Sequence, residues 1–149
     1  MRMTHLRQAH SLDAGSVGEI LSEFIDTTPW MPRIHTRAED LSFASMMIDR
    51  GWVTVAEIYQ GVAGFSSLSD GVLHALYVRD TARGQGIGTA LLDRCKRDVK
   101  DLTLWTFQAN TRAQSFYLRH GFQEIERSDG ARNDEGLPDV KFQWQEACG

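Results

Sequence analysis

Residues 79–92, RDTARGQGIGTALL, combine the residue types that bind an anion. Three glycines, Gly84, Gly86 and Gly88, alternate with other residues, and Arg83 precedes them. Glycine adopts positive φ angles and leaves room for a ligand to approach the backbone. An apolar pattern typical of a helix starts directly after the loop, so the free N–H groups of the first helical turn would point at the same place. The stretch therefore predicts a cradle for a phosphate or pyrophosphate, to which Arg83 adds a charge-assisted contact.

Three other interpretations of this loop are weaker. A glycine turn that only reverses the chain is the simplest, but three glycines and an arginine at one strand–helix junction favour a ligand site. A P-loop requires Gly-Lys-Ser/Thr, whereas Gly88 is followed by Thr89 and Ala90. A dinucleotide fingerprint requires G-x-G-x-x-G, and its third glycine position is occupied by Thr89. The loop is therefore neither of these two familiar nucleotide-binding motifs.

Hydrophobic periodicity predicts the elements that must position the loop. The predicted strands are 6–9, 52–58, 62–68, 72–78, 102–107 and a final pair within 121–144. The first predicted helix is 13–25, with Asp13 as its cap. A second helix carries the apolar stripe Leu41, Ala44 and Ile48 and ends at Gly51. Two more helices are predicted at 86–98 and 111–120. Turn signals at Gln60-Gly61 and Asp70-Gly71 join antiparallel strands, and the later strand–helix–strand unit predicts a locally parallel pair. This order predicts an α+β fold.

Composition excludes several classes of protein. A chain of 149 residues with 42% hydrophobic residues can bury a core, so we expect one soluble globular domain over 1–149. The net charge of −4 lacks the basic excess of nucleic-acid-binding proteins. Cys95 and Cys148 match neither a disulfide framework nor metal-ligand spacing. No stretch resembles a signal peptide or a membrane span. We therefore expect a cytoplasmic protein that has no metal ion and binds neither nucleic acid nor membrane.

Two blocks of the sequence resemble the GNAT N-acetyltransferase superfamily. LYVRDTARGQGIGTALL is similar to its acyl-CoA-binding motif, Arg/Gln-x-x-Gly-x-Gly/Ala, at Arg83, Gly86 and Gly88. NTRAQSFYLRHGF is similar to the helix that follows in the family. The matching residues of this second block are Asn110, Phe116, Tyr117, Gly121 and Phe122. The order of blocks and elements agrees over residues 4–145, so the resemblance covers nearly the whole chain.

The resemblance implies a fold and an activity. The fold is that of GNAT acyl-CoA N-acyltransferases, a mixed, mostly antiparallel central sheet with helices on both faces. The activity is direct transfer of an acetyl group from acetyl-CoA to a primary amine in a ternary complex. A homodimer is also expected, because dimers are common in the superfamily. The acceptor stays open among small amines, amino acids, antibiotics, polyamines and protein amines.

The resemblance also implies where acetyl-CoA binds. In the family, the strand before the loop separates from its neighbour and offers free N–H groups to the thioester and the pantetheine arm. Here these groups fall at Leu76, Tyr77 and Val78, and an N–H at Leu76 would stabilise the oxyanion formed on attack. Asn110 either bonds the pantetheine arm or caps the next helix. The residues implied to bind the pyrophosphate are Arg83, Gly84, Gln85, Gly86, Ile87, Gly88 and Thr89.

The catalytic candidates are a tyrosine and a histidine. Tyr117 matches the family's general acid, which protonates the departing CoA thiolate, although its apolar stripe also fits a core aromatic. His74 is a candidate base, because period-two alternation puts it on the strand face of Leu76 and histidine titrates in the right range. Glu57 would act instead through a water. Both of these residues could equally be structural, and some family members need no dedicated base.

The acceptor is expected to meet the loop DTTPWMPRIHT, residues 26–36. Asp26 would supply charge, Trp30 an apolar or cation–π surface, and His35 a further contact. Alternatively, Trp30 fills the gap between the first two helices. The acidic loop SDGARNDEGLPD, residues 128–139, either lines the acceptor site or is solvated.

Two other functions compete with the transferase. A non-catalytic acyl-CoA-binding regulatory module would keep the glycine loop but lose the general acid, so the presence of Tyr117 favours an enzyme. A nucleotide-binding oxidoreductase is disfavoured by Thr89 and by the antiparallel strands that precede the loop.

Overall fold

The computed structural model describes residues 4–59 and 61–147, and the following account concerns those residues. The strands are β1 (His5–Gln8), β2 (Val53–Ile58), β3 (Gly61–Ser69), β4 (Val72–Val78), β5 (Asp101–Phe107), β6 (Gln123–Ser128) and β7 (Asp139–Gln145). The helices are α1 (Ala14–Thr27), α2 (Arg37–Asp49), α3 (Ile87–Asp98) and α4 (Thr111–Arg119). This order confirms the predicted one. Gln60 of the first predicted turn and Cys148 lie outside the described residues.

One mixed sheet holds the seven strands in the order β1-β2-β3-β4-β5-β7-β6. Neighbouring strands are antiparallel except β4 and β5, which are parallel. The parallel pair is the one that the strand–helix–strand unit predicts. Within the described residues, β4 and β5 are paired only at Val72 and Thr103. The two strands therefore separate towards their carboxyl ends, directly before the glycine loop.

The separation leaves backbone donors of β4 without a strand partner. The N–H of Arg79 donates to the carbonyl oxygen of Ala63 on β3 at 2.8 Å. Successive N–H groups of a strand point to opposite sides, so those of Leu76 and Val78 point towards β5. Because β5 has diverged there, these two N–H groups face the gap between the strands.

Helices cover both faces of the sheet. On one face, α1 and α2 pack on β2, β3 and β4 through a cluster that includes Val17, Ile20, Met47, Val55 and Phe65. On the other face, α3 and α4 pack on β4, β5 and β7 through a cluster that includes Leu92, Cys95, Leu102, Tyr117 and Phe142. This arrangement confirms the expected fold class.

The predicted stripe of α2 is wrong at one position. Ala44 and Ile48 are buried, but Leu41 is 44% exposed. The buried side of the helix is formed by Asp40, Ala44, Met47 and Ile48. Asp40 takes the inward position because the Ser22 hydroxyl donates to its carboxylate at 2.6 Å and the Arg33 guanidinium donates to it at 3.0 Å. The buried side of α2 therefore includes the charged Asp40, whereas hydrophobic periodicity predicts that Leu41 is buried.

Asp13 does not cap α1 as predicted. Its side chain makes no cap hydrogen bond to that helix. Its carboxylate instead accepts two hydrogen bonds from the Arg7 guanidinium, at 2.8 and 3.0 Å, and one from the N–H of His10 at 2.9 Å. Asp13 therefore ties β1 to the turn that leads into α1.

We expect Asp13→Asn to lower the melting temperature by roughly 5 °C at pH 7, because it removes charge-assisted hydrogen bonds to Arg7. The Arg7 guanidinium holds the pKa of Asp13 below its ordinary value of 3.8. A pKa lowered by folding stabilises the fold above the unfolded value of about 3.9, and this stabilisation is lost as the pH falls through the folded value. The difference in Tm between wild type and variant should therefore shrink between pH 5 and pH 2.5.

Thermal unfolding over that pH range measures the effect. Asp49→Asn is the matched control, because Asp49 is exposed and makes no recorded side-chain contact in the part of the chain that the structure describes. Equal pH dependence in the two variants would contradict the role of Asp13.

Candidate functional site

A cavity of about 500 Å³ lies at the carboxyl end of β4, between the glycine loop, α4 and the end of α1. Eleven of the residues predicted to act here line it. They are Leu76, Tyr77, Val78, Arg83, Gly84, Gly86, Ile87, Gly88, Thr89, Asn110 and Tyr117. The predicted residues Gln85, His74, Glu57, Asp26 and Trp30 are not among its described lining. The structure thus brings together the loop and the tyrosine, while their roles stay predictions.

The glycine loop presents the first turn of α3 to this cavity. Gly86 stands directly before the helix with a φ of 76°, in the left-handed region that glycine adopts without strain. No described atom lies within 4 Å of the place where a Cβ of Gly86 would be, so that side is open. The first intrahelical bond runs from the N–H of Ala90 to the Gly86 carbonyl at 3.0 Å. The three N–H groups of residues 87–89 therefore have no acceptor within the helix and are available to an anion.

Two arginines of α4 face the same cavity together with Phe116 and His120, and the sequence analysis assigned none of the four to the site. Arg112, Phe116, Arg119 and His120 all line it. Their spacing of four, seven and eight residues from Arg112 puts them on one side of a helix. That spacing was visible in the sequence. On the loop side, Arg83 forms an ion pair with Asp80 at 3.0 Å and is partly exposed.

His120 links α4 to the first turn of α3. Its Nδ1 is 2.7 Å from the Phe116 carbonyl oxygen, which can only accept, so Nδ1 carries the proton. In the tautomer that carries its proton on Nδ1, Nε2 accepts from the Thr89 hydroxyl at 3.0 Å. The Lys96 ammonium donates to the His120 carbonyl oxygen at 2.6 Å. These bonds hold the two helices together at the rim of the cavity.

Tyr117 is a core aromatic that also lines the cavity, and its role as a general acid stays a prediction. It is 7% exposed, and its ring packs on Phe122 at 5.3 Å and Phe142 at 6.2 Å between centroids. Burial raises the pKa of its hydroxyl, which therefore stays protonated at neutral pH. Among the described residues, no group hydrogen-bonds to this hydroxyl. A neutral donor that lines the cavity is thus left available to a ligand.

A second, smaller cavity of about 60 Å³ lies in the gap between β4 and β5. Leu76, Tyr77, Asn110 and Tyr117 line both cavities. Burial, with a smaller contribution from the charge of Glu135, raises the pKa of Tyr77 to about 12. The gap therefore connects the glycine-loop side of the sheet with the side of Tyr77 and α1, where the Tyr77 ring contacts Phe24.

Asn110 caps α4, which is one of its two predicted roles. Its side-chain Oδ1 accepts from the N–H of Ala113 at 3.0 Å. Its side-chain NH₂ has no recorded acceptor within residues 4–59 and 61–147. Capping uses the oxygen only, so the amide can still donate into the cavities that Asn110 lines.

His74 does not share the strand face of Leu76, and the alternation argument for it is wrong. The β3–β4 pairing shifts register beside it: Leu68 pairs with Leu73, and Ser67 with Ala75. Because this bulge resets the alternation, Leu73 and Leu76 both pack towards α3 and α4 although they are three residues apart.

The His74 ring lies against a different neighbour. It stacks on Trp52 at 5.0 Å, and its Nε2 is 3.1 Å from the Ser69 hydroxyl. Partial burial lowers the pKa of His74, so the ring is neutral at pH 7. His74 also lines the smaller cavity. Its role as a base stays a prediction.

The two predicted carboxylates are engaged with arginines. Glu57 on β2 pairs with Arg7 at 3.1 Å, away from both cavities. Asp26 pairs with Arg33 at 2.7 Å and also with Arg37, and the Arg33 guanidinium holds the pKa of Asp26 below its ordinary value. Neither carboxylate is brought to the glycine loop, and the charge of Asp26 is neutralised by its two partners.

Trp30 bridges α1 and β5. Its ring meets Phe24 at 6.3 Å and Phe107 at 5.7 Å, both edge to face. A few residues later, His35 Nε2 is 3.8 Å from a carboxylate oxygen of Asp134. Trp30 therefore lies at the carboxyl end of β5, and His35 meets the loop that contains Asp134.

Residues 4–59 and 61–147 contain no group of three His, Cys, Asp or Glu side chains arranged to hold a metal ion. No helix within them is both long and apolar enough to cross a membrane.

Comparison with known proteins identifies relatives. The profile of the acetyltransferase (GNAT) domain matches residues 49–124, about half of the chain. The peptidyl-lysine N-acetyltransferase YjaB of Salmonella typhimurium is 35% identical over 78 residues, which are 52% of this chain and 53% of YjaB. The chain thus spans about half the length of this curated relative.

Solved structures share the fold over nearly the full chain. The solution structure of apo YjaB from Escherichia coli superimposes with a TM-score of 0.80 at 21% identity, covering 97% of this chain and 99% of that one. The structure of yncA from Salmonella typhimurium with its cofactor acetyl-CoA gives a TM-score of 0.73 at 20% identity, covering 99% and 96%.

Proposed function

The chain belongs to the GNAT acetyltransferase family, and from this premise we propose that it transfers an acetyl group from acetyl-CoA to a primary amine. One observation carries the proposal more than any other. A single cavity joins the N–H groups of the glycine loop to the Tyr117 hydroxyl at the gap between β4 and β5. A non-catalytic acyl-CoA-binding module would need the cradle but not this donor.

The residues of the large cavity fit acyl-CoA. The N–H groups of residues 87–89, with Arg83 beside them, suit the pyrophosphate. Arg112 and Arg119 on α4 add positive charge along the same cavity. The N–H groups of Leu76 and Val78 suit the pantetheine arm and the thioester carbonyl, and the Asn110 amide can donate to the same arm.

Acetyl-CoA supplies an acetyl group activated as a thioester. The N–H of Leu76 would stabilise the oxyanion that forms when the amine attacks the carbonyl carbon. As the new C–N bond forms and the C–S bond breaks, the Tyr117 hydroxyl would give its proton to the departing sulfur. The proton lost by the amine would pass to His74 or to water, and a proton from solvent would return to Tyr117, which balances the reaction and restores the acid.

The finer parts of the proposal rest on relatives and on composition. The name of the YjaB relative says that it acts on peptidyl-lysine, which is one of the acceptors that the proposal admits. A homodimer, a cytoplasmic location, one domain over residues 1–149 and the absence of a metal ion are also part of the proposal.

A thermal-shift titration with acetyl-CoA, CoA and NADH tests the proposed cosubstrate. We expect acetyl-CoA and CoA to raise the melting temperature in proportion to the logarithm of their concentration, because each binds only the folded chain. NADH should have no effect. The release of CoA in the presence of amines then tests transfer.

The possible outcomes separate the candidate functions. A shift with CoA but no release with any amine would favour a regulatory acyl-CoA-binding module. A shift with NADH alone would overturn the proposal.

A further inference from the structure

Two glutamates of α1 hold the segment that leads from β4 into the glycine loop. Glu19 and Glu23 are four residues apart, so they lie on one side of the helix. The Glu19 carboxylate pairs with the Arg79 guanidinium. The Glu23 Oε1 accepts a hydrogen bond from the backbone N–H of Asp80 at 2.8 Å. We define these four residues as the α1 clamp.

The bond from Asp80 to Glu23 occupies a donor that the local backbone leaves free. Residues 80–82 form one short turn, in which the Ala82 N–H donates to the Arg79 carbonyl oxygen at 3.0 Å. The N–H of Asp80 is the first of this turn and has no acceptor within it. Glu23, 57 residues earlier in the chain, supplies that acceptor and so fixes where the turn begins.

The same turn places Arg83. The Asp80 carboxylate pairs with the Arg83 guanidinium at 3.0 Å. Between these two residues, Ala82 is buried in one cluster with Ile87 of α3. Asp80 is thus held by Glu23 through its backbone and holds Arg83 through its side chain. A change at Glu23 is therefore transmitted to Arg83 through a single residue.

The glycine loop is exposed between its two anchored ends. Residues 83–86 are all exposed. No described atom lies within 4 Å of the places where Cβ atoms of Gly84 and Gly86 would be. Ile87, buried at the start of α3, anchors one end of the loop. The turn at 80–82 and the α1 clamp anchor the other end, so loss of the clamp leaves that end less restrained.

The charge of Glu23 by itself opposes an anionic ligand. Glu23 lines the large cavity, and no ion pair is recorded for it within residues 4–59 and 61–147. A carboxylate next to a pyrophosphate repels it. The hydrogen bond and the charge of Glu23 therefore have opposite effects on the binding of acetyl-CoA, and two substitutions separate them.

We propose that Glu23 is a positioning residue for acetyl-CoA, which holds the turn at 80–82 and through Asp80 directs Arg83 towards the pyrophosphate. The inference rests on the proposed acetyltransferase function and adds a residue of α1 to the groups that prepare its cosubstrate site. Glu23 acts on the loop and makes no bond to the ligand. Its effect is therefore on the affinity for acetyl-CoA rather than on the transfer step.

Glu23→Ala and Glu23→Gln test the role of the hydrogen bond. Alanine removes the acceptor, whereas the amide oxygen of glutamine keeps it and the charge is lost. We expect Glu23→Ala to raise Kd for acetyl-CoA about 10-fold and Glu23→Gln to bind at least as tightly as wild type, measured by isothermal titration calorimetry. Glu126→Ala is the matched control, because Glu126 is exposed on β6 and lies outside the described lining of both cavities. Equal Kd values for the two Glu23 variants overturn the inference.

A double-mutant cycle tests whether Glu23 acts through Arg83. Arg83→Ala alone should weaken the binding of acetyl-CoA, because it removes the charge that meets the pyrophosphate. If Glu23 positions Arg83, adding Glu23→Ala to that variant lowers the affinity no further. A merely structural contribution of Glu23 would cause the same loss of affinity with and without Arg83, and that result would overturn the inference.

Failure of the inference differs from failure of the proposed function. Wild-type protein that binds acetyl-CoA, together with Glu23 variants of equal affinity, overturns the positioning role alone. Wild-type protein that does not bind acetyl-CoA overturns the proposed function and the inference with it. The melting temperature of each variant without ligand shows that it is folded.

Discussion

Gly86→Asp is expected to abolish acetyl-CoA binding. Gly86 stands at the start of α3 with an open side towards the cavity, so an aspartate there places a carboxylate where the loop N–H groups would hold the pyrophosphate. Two like charges 4 Å apart repel by about 4 kcal/mol at an effective dielectric constant of 20. We therefore expect Kd for acetyl-CoA to rise at least about 100-fold, measured by isothermal titration calorimetry.

Backbone strain must be separated from this charge effect. A non-glycine residue at a positive φ costs about 1–2 kcal/mol, which lowers stability without touching the ligand. Gly51→Asp is the matched control, because Gly51 has a φ of 77°, close to the 76° of Gly86, and lies at the end of α2 away from the cavity. Gly86→Asn adds bulk without charge.

The three variants are expected to differ in melting temperature and in affinity for acetyl-CoA. Loss of melting temperature should be similar for Gly86→Asp and Gly51→Asp, whereas only Gly86→Asp should lose the ligand. Gly86→Asn should fall between wild type and Gly86→Asp in affinity. Unchanged affinity of Gly86→Asp for acetyl-CoA would remove the glycine loop from the binding site.

Tyr117→Phe is expected to lower kcat about 100-fold, at the lower end of what a general acid contributes. The Tyr117 hydroxyl has no hydrogen-bond partner among the described residues, so its loss leaves no buried group unsatisfied. KM for acetyl-CoA and the melting temperature should therefore change little. A selective fall in kcat separates a role in the reaction from a role in packing.

Tyr59→Phe is the matched control. It removes the same hydroxyl from a tyrosine that is fully exposed, and it should leave kcat and KM unchanged. An equal, small effect of the two substitutions would show that Tyr117 is only a core residue.

The pH profile gives an independent test of Tyr117. Burial raises its pKa above the ordinary value of about 10, so the protonated form persists to higher pH than that of a free tyrosine. We expect kcat of the wild type to show no alkaline fall below about pH 10. An alkaline limb near pH 8 or 9 that disappears in Tyr117→Phe would contradict this environment for the hydroxyl.

Local patterns in the sequence were sufficient for the order of elements and for the glycine loop that precedes α3. This loop depends on residues 83–89 and on the helix that follows them, which are contiguous in the chain. The parallel pairing of β4 and β5 was predictable because the intervening helix must carry the chain back to the same edge. The stripe of Ile87, Leu91 and Cys95 is buried as periodicity indicates.

Where the structure departs from the sequence pattern, a partner from elsewhere in the chain is the cause. The alternation argument for His74 fails because a bulge opposite Ser67 and Leu68 resets the face of the strand. The charge expected of Asp26 is neutralised by Arg33 and Arg37 from the loop and helix that follow it. Such pairings cannot be derived from the spacing of residues within one element.

The sequence by itself determined which segments become strands and helices and where the glycine loop leads into α3, because these depend on neighbours within a few residues. Only the tertiary structure decided which charges remain unpaired and which aromatic rings meet. Phe24, Trp30, Tyr77 and Phe107 come from three elements and a loop, and their rings meet at one end of the sheet. Contacts across such distances in the chain arise from packing of the whole sheet and its helices, which no local pattern encodes.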